Sequence, residues 1–158
     1  MTRKSLRRAA AGGGLALVVA ASGTAFAHGD DYGATIRLVE ADPNAQPVFV
    51  DAGDTGPGLG DVAIFSDGLN RPDGTPAGDF HETCTLVTFA GNRFTSGYEC
   101  SGTIALKGGT ITLQGSFTPA KPDQLDAISG GTGAFRTARG EIETQAVADN
   151  IVVRLANS

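Results

Sequence analysis

The amino-acid sequence predicts an all-β fold, a sandwich or a barrel, on three observations. Short segments carry apolar residues with period two, Gly, Pro, Asn or Asp separates nearly every pair of them, and no segment combines a sustained helical period with capping signals. The composition agrees, because a glycine-rich, tryptophan-free chain suits a sheet whose bends need small residues.

The first predicted strand is Ala34 to Glu40, where Ile36, Leu38 and Glu40 share one side and Arg37 and Val39 the other. Asp42 to Gly60 is rich in proline, glycine and aspartate and reads as a long loop, with Val48 to Val50 a short strand inside it. Loops of that length in small domains are often functional. Asp61 to Phe65 follows, then Phe80 to Ala90 and Thr95 to Leu106 on either side of the turn Gly91-Asn92-Arg93. Thr110 to Phe117 places Ile111, Leu113 and Phe117 on one face; Leu125 to Ile128, Gly140 to Val147 and Ile151 to Leu155 complete the set. The stretch from Asp67-Gly68 to Asp73-Gly74 reads as turn chemistry, since the spaced aspartates of a calcium loop are missing. No solenoid-length repeat or heptad is present.

Residues 1–27 read as a secretory signal. Arg3, Lys4, Arg7 and Arg8 precede the small and apolar stretch Ala9 to Ala21, which closes on Ala25-Phe26-Ala27. The apolar stretch contains glycine and is shorter than the roughly 20 residues that span a bilayer, so cleavage is expected rather than a membrane anchor. Residues 28–158 then form one secreted domain, with eight basic and seventeen acidic residues and a net charge of −9. An acidic surface of that kind argues against nucleic acid or anionic lipid as partner.

Export places Cys84 and Cys100 where disulfides persist. With Asn92 at the centre of its turn, Cys84 falls opposite Cys100, so a disulfide is expected; two separate buried thiols are the alternative.

The segment Ser129-Gly130-Gly131-Thr132-Gly133-Ala134-Phe135-Arg136-Thr137-Ala138-Arg139-Gly140 resembles the glycine-rich signature of plant dirigent proteins. Gly60-Asp61-Val62-Ala63-Ile64-Phe65 resembles the second-strand entry that these share with plant allene oxide cyclases, and Thr83-Cys84-Thr85-Leu86-Val87 resembles the cyclases' cysteine strand. Arg93-Phe94 through Gly115, with Tyr98, follows the cyclase pattern, and the likeness runs from about Arg37 to Val147. The resemblance implies an eight-stranded antiparallel β-barrel, a homotrimer, and an apolar cavity open at one end. It also implies a hydrophobic small molecule as partner, cyclisation of a reactive epoxide or steering of a radical coupling as activity, and no metal or organic cofactor. Non-catalytic binding of a hydrophobic metabolite is the other reading, and fold alone does not separate the two.

By that resemblance Glu40 corresponds to the cyclases' glutamate and Asp42 to their asparagine two residues on, the pair expected to be catalytic. An ionised aspartate cannot donate a hydrogen bond where an asparagine would. Cys84 corresponds to the cyclases' cavity cysteine, and a disulfide would remove its thiol. From parity alone, Glu40 follows Ile36 and Leu38 into the cavity, while the opposite strand orientation, or a rim position paired with Arg139, stays open. Glu82 shares parity with Phe80, Cys84 and Leu86, and Tyr98 falls opposite Leu86, so Glu82, Leu86 and Tyr98 are candidate ligand contacts. Arg136 and Arg139 follow the glycine run and could meet an oxyanion or hold Asp126. The run lacks the spacing and setting of a dinucleotide fingerprint. Cleavage before His28 would expose an N-terminal imidazole suited to copper, but only His81 is available as a second histidine, and the length and barrel signature oppose that chemistry.

Overall fold

A computed structural model describes residues 32–53, 56–121, 123–145 and 150–156. The expected signal segment and His28 lie outside the described residues. Among the described residues nine strands run β1 (Tyr32–Glu40), β2 (Val48–Val50), β3 (Val62–Asn70), β4 (Pro76–Thr88), β5 (Gly97–Leu106), β6 (Gly109–Phe117), β7 (Asp123–Gly131), β8 (Gly140–Gln145) and β9 (Asn150–Ala156). A single 3-10 turn, Gly133–Phe135, lies between β7 and β8.

From β3 to β9 each strand pairs antiparallel with the next, β9 pairs with β1, and β1 returns to β3, which closes an eight-stranded barrel. The closing seam is short, Val39 opposite Asn70 and Glu40 opposite Leu69. Above it β2 covers the upper part of β3, with Val48 opposite Ile64 and Val50 opposite Val62.

Period two sorts the side chains as the sequence requires. Along β4, Glu82, Cys84 and Leu86 are buried and alternate with exposed His81, Thr83 and Val87. Two apolar clusters fill the barrel. The larger, built on Leu38, Leu69, Ile104, Ile111, Ile142 and Val153, closes the end from which β1 starts. The smaller holds Ala63, Cys84, Leu86, Tyr98 and Cys100, with Phe65 and Phe117 against it, on the β3–β6 side of the other end. Burying such side chains stabilises by roughly 1.5–3 kcal/mol each, which is why a one-residue register slip is excluded.

The glycine-rich signature is structural. A Cβ on Gly133 (φ 57°) would lie 2.1 Å from the Gly108 carbonyl oxygen, so only glycine lets the β7–β8 connection lie on the β5–β6 turn. Thr110 and Thr132 share a hydroxyl hydrogen bond of 2.7 Å at the same contact. The strands correct one expectation: Asp67 and Gly68 belong to β3, and the turn is confined to residues 71–75, closed by Arg71 N–H donating to the Thr75 carbonyl. Turn-prone residues stay in the strand because Gly68 pairs with Asp79 and Leu69 is buried.

Cys84 lies opposite Cys100 and the two form a disulfide, 16 residues apart in sequence, buried in the smaller cluster. A loop of that length predicts a stabilisation of about 3 kcal/mol. Urea unfolding with and without reductant should show a loss of that order, and the Cys84→Ala/Cys100→Ala protein should match the reduced one and ignore reductant.

Candidate functional site

The interior is not uniformly apolar. Inward parity on β4 places Glu82 between Phe80 of the larger cluster and Cys84 of the smaller, and on β7 it places Asp126 beside Ile128. Between these strands β5 and β6 bring Gly102, opposite Glu82, and Gly115, opposite Cys100. Neither offers a side chain, and the two acidic side chains close on them. A Cβ on Gly115 would sit 1.8 Å from Asp126 Oδ1, and one on Gly102 would sit 3.2 Å from the Glu82 Cβ.

Both carboxyls are buried, Glu82 at 8% and Asp126 at 3% exposure. Gln124 donates to both oxygens of Asp126, at 2.9 and 2.8 Å, whereas Glu82 Oε1 is buried with no hydrogen-bond partner. Desolvation, with the Asp126 charge adding to it, raises the Glu82 carboxyl from the ordinary 4.5 to about 7. Desolvation also raises Asp126, against the Gln124 hydrogen bonds. A carboxyl that is neutral yet titrates near pH 7 can give or take a proton.

Aromatic side chains stand beside this group. Phe65, opposite Glu82 in register, meets Phe117 edge to face with centroids 5.9 Å apart, and Tyr98 lies 6.0 Å from Phe117. Tyr98 hydroxyl donates to the Arg93 carbonyl at 3.4 Å, and burial raises its phenol. At this end Asp61 ties the chain together, its carboxylate accepting from the Ala52 and Gly58 N–H groups and pairing with Arg93. These backbone hydrogen bonds, Gly58 first, hold Asp61 below the usual carboxylate range. Arg93 also pairs with Asp51 and lies over the Phe49 ring at 4.7 Å, so the long loop is tied to the β4–β5 turn.

The structure distributes the sequence candidates unevenly. Glu82, Leu86 and Tyr98 point into the barrel, Leu86 and Tyr98 packed with the disulfide in the smaller cluster. Glu40, opposite buried Leu69, is half-buried on the lumen side and lines a small cavity of about 40 Å³ with Phe65, Asp67 and Phe80. Asp42 is exposed, its carboxylate accepting from the Asn44 N–H in a local turn. Arg136 and Arg139 lie exposed at the closed end, beyond β7, and Asp126 is held by Gln124 instead. The nearness of the Asp126 charge to Glu82 was the feature sequence reasoning missed; the signal was the inward parity of Asp126 with Ile128 and the two glycines on the strands between them. Ligand atoms of Glu82, Cys84 and Cys100 lie within 4.8 Å of one another, but sulfurs joined in a disulfide are not thiolate ligands, so the trio does not form a metal centre. His81 faces outward, its Nδ1 2.9 Å from the Ser66 hydroxyl.

Residues 38–155 match the family model described as the allene oxide cyclase barrel like domain. No curated protein matches the chain. Among solved structures, a pyocyanin demethylase is 30% identical with a TM-score of 0.65, the match covering 78% of this chain and all of that one. A pterocarpan synthase dirigent protein is 22% identical with a TM-score of 0.51, covering 77% of this chain and 81% of that one. A Diels–Alderase from Streptomyces koyangensis is 13% identical with a TM-score of 0.55, covering 84% and 73%. At these last two identities the likeness is one of fold.

The raised Glu82 group has a signed consequence for stability. Between about pH 4.5 and 7 the native state holds a proton that the unfolded state has released, so Glu82's contribution is full below that window and is lost as pH rises through it. Unfolding free energies across that range should show the unmodified protein losing up to about 3 kcal/mol relative to Glu82→Gln. Parallel curves for the two proteins would remove the buried acid.

Proposed function

Because the chain belongs to the allene oxide cyclase barrel like family, we propose that it is a cofactor-free barrel enzyme, in which a ring-bearing apolar molecule enters the mouth and packs on Phe65, Tyr98 and Phe117. Glu82 then moves a proton during a cyclisation, isomerisation or stereoselective coupling. One observation carries this reading: a lumen carboxyl with an unpartnered buried oxygen, kept protonated to near neutrality. A pure carrier of an apolar metabolite gains nothing from burying such a group, which costs stability, whereas general acid or base catalysis requires it. The substrate's alignment against the aromatic wall supplies the remaining acceleration. Glu40 is a second contact nearer the seam.

A second reading rests on the 30% identity to a pyocyanin demethylase over the whole of that chain. It makes pyocyanin a candidate substrate for the same lumen.

The expected quaternary state is a trimer formed over the outer face of β2 and β3, where Val48, Val50 and Ile64 are 62%, 48% and 40% exposed. Protein recovered from culture medium should begin at His28 by intact mass and sediment as a trimer; a monomeric, membrane-bound full-length chain would overturn both statements.

Turnover of pyocyanin and of allylic epoxides, alongside mass spectrometry of compounds that co-purify from the native host, tests the activity. Glu82→Gln should lower kcat by something like 10²-fold with apolar ligand binding kept, and the kcat of the unmodified protein should turn over near pH 7. Glu40→Gln is the comparison. If a ligand binds and neither replacement alters any conversion, the barrel is a carrier.

A further inference from the structure

The short seam has a second consequence at the closed end. Below Val39, β1 pairs only with β9, so the edge carrying Ile36 and Leu38 is not covered by β3 or β4. A slot of about 380 Å³ opens there, inside the roughly 300–1,000 Å³ span of small-ligand pockets. Its apolar lining is Ile36, Leu38, Ala77, Leu106 and Phe135, side chains of the larger cluster seen from the side. None of the lumen residues Glu82, Asp126, Phe65, Tyr98 or Phe117 lines it.

The charge around the slot runs against the rest of the chain. Arg37, Arg71 and Lys107 line it and no carboxylate does, in a chain with seventeen acidic and twelve basic residues. None of the three makes an ion pair among the described residues, whereas Arg93 and Arg154 are both paired. Glu143 senses Arg37, but only through space. Arg71 is held in place, its Nη1 donating to the Pro76 carbonyl at 3.1 Å and to the Thr75 hydroxyl at 3.4 Å. Asp73, bonded to Thr75, likewise feels Arg71 through space, but neither carboxylate lines the slot. Three cations in the lining of an apolar slot form an amphipathic receptor.

We infer that this slot binds an organic anion with an apolar body, a carboxylate on an alkyl or aromatic tail, independently of the lumen. The tail would lie on Leu106, Ala77 and Phe135, and the carboxylate would meet Arg71 with Arg37 or Lys107. Arginine offers the paired donors that match a carboxylate, and lysine a compact charge.

Octanoate and 1-octanol serve as probes of equal tail length, followed by amide chemical shifts on the purified protein. Octanoate should move the signals of Ala77, Leu106 and Phe135 and leave those of Phe65, Tyr98 and Phe117 in place. Its affinity should fall at least about five-fold in Arg37→Gln/Lys107→Gln, the scale of two exposed charge contacts, and should weaken with added salt. The Glu82→Gln protein should bind octanoate as before, which separates this slot from the lumen reading. Equal affinity for 1-octanol, indifference to the double replacement, or shifts confined to the lumen aromatics would each overturn the inference.

Discussion

Everything distinctive about this barrel follows from how little of β1 meets β3. Seven of the eight contacts around the barrel are antiparallel ladders of four or more paired positions, while the eighth consists of Val39 with Asn70 and Glu40 with Leu69. Closure needs strands that tilt and stagger, and here the stagger is concentrated in one seam. Backbone groups left over on the upper part of β3 are taken by β2, which gives the Pro/Gly-rich segment a fixed place. The same stagger frees the lower edge of β1, so the side of the larger apolar cluster is reachable there. The position of Glu40, Asp67 and Phe80 around a small cavity is a third result, because the seam is where the strands part.

Within the closed wall, the balance between packing and polarity is set by absent side chains. Gly102 and Gly115 are places where β5 and β6 carry no side chain; the Asp126 carboxyl stands over Gly115, and the Glu82 Cβ and Leu113 close on Gly102. Asp126 is satisfied by Gln124, two residues along the same strand, so its burial is offset by hydrogen bonds. Glu82 has no such offset at Oε1 and answers desolvation by holding its proton. Desolvation raises both carboxyls, but only Asp126 has hydrogen bonds that work against it, which is why proton transfer is proposed for Glu82.

Much of the architecture was legible because period two is unambiguous where both clusters need it. The alternation through Glu82, Cys84 and Leu86, centred on Asn92, fixed the partner of Cys100 by counting alone. The extra length of β3 and β4 was not legible: Asp67, Gly68 and Gly78 have the chemistry of turns, and only the burial of Leu69 by residues far along the chain holds them extended. Asp126 was hidden for the same kind of reason. Its meaning depends on Gly115, its neighbour on β6, and on Glu82, three strands away, a relation that exists only after the sheet curls.

That curl is the ground for proposing Glu82, rather than Glu40, as the proton-transfer group. Both point inward, and family resemblance favours Glu40. But Glu40 sits half-buried at the seam, where β1 is about to leave the wall and exposed Asp42 already faces solvent. Glu82 lies in the middle of β4, between ladders to β3 and β5 that run past it on both sides, with Phe65 and Gly102 as its lateral neighbours. A carboxyl acts as an acid or base near neutrality when its surroundings exclude water and resist rearrangement, since both raise the cost of the charged form and keep the reacting geometry fixed. The middle of a closed wall meets these conditions better than its seam, and a ligand pressed against Phe65 and Phe117 would exclude what water remains.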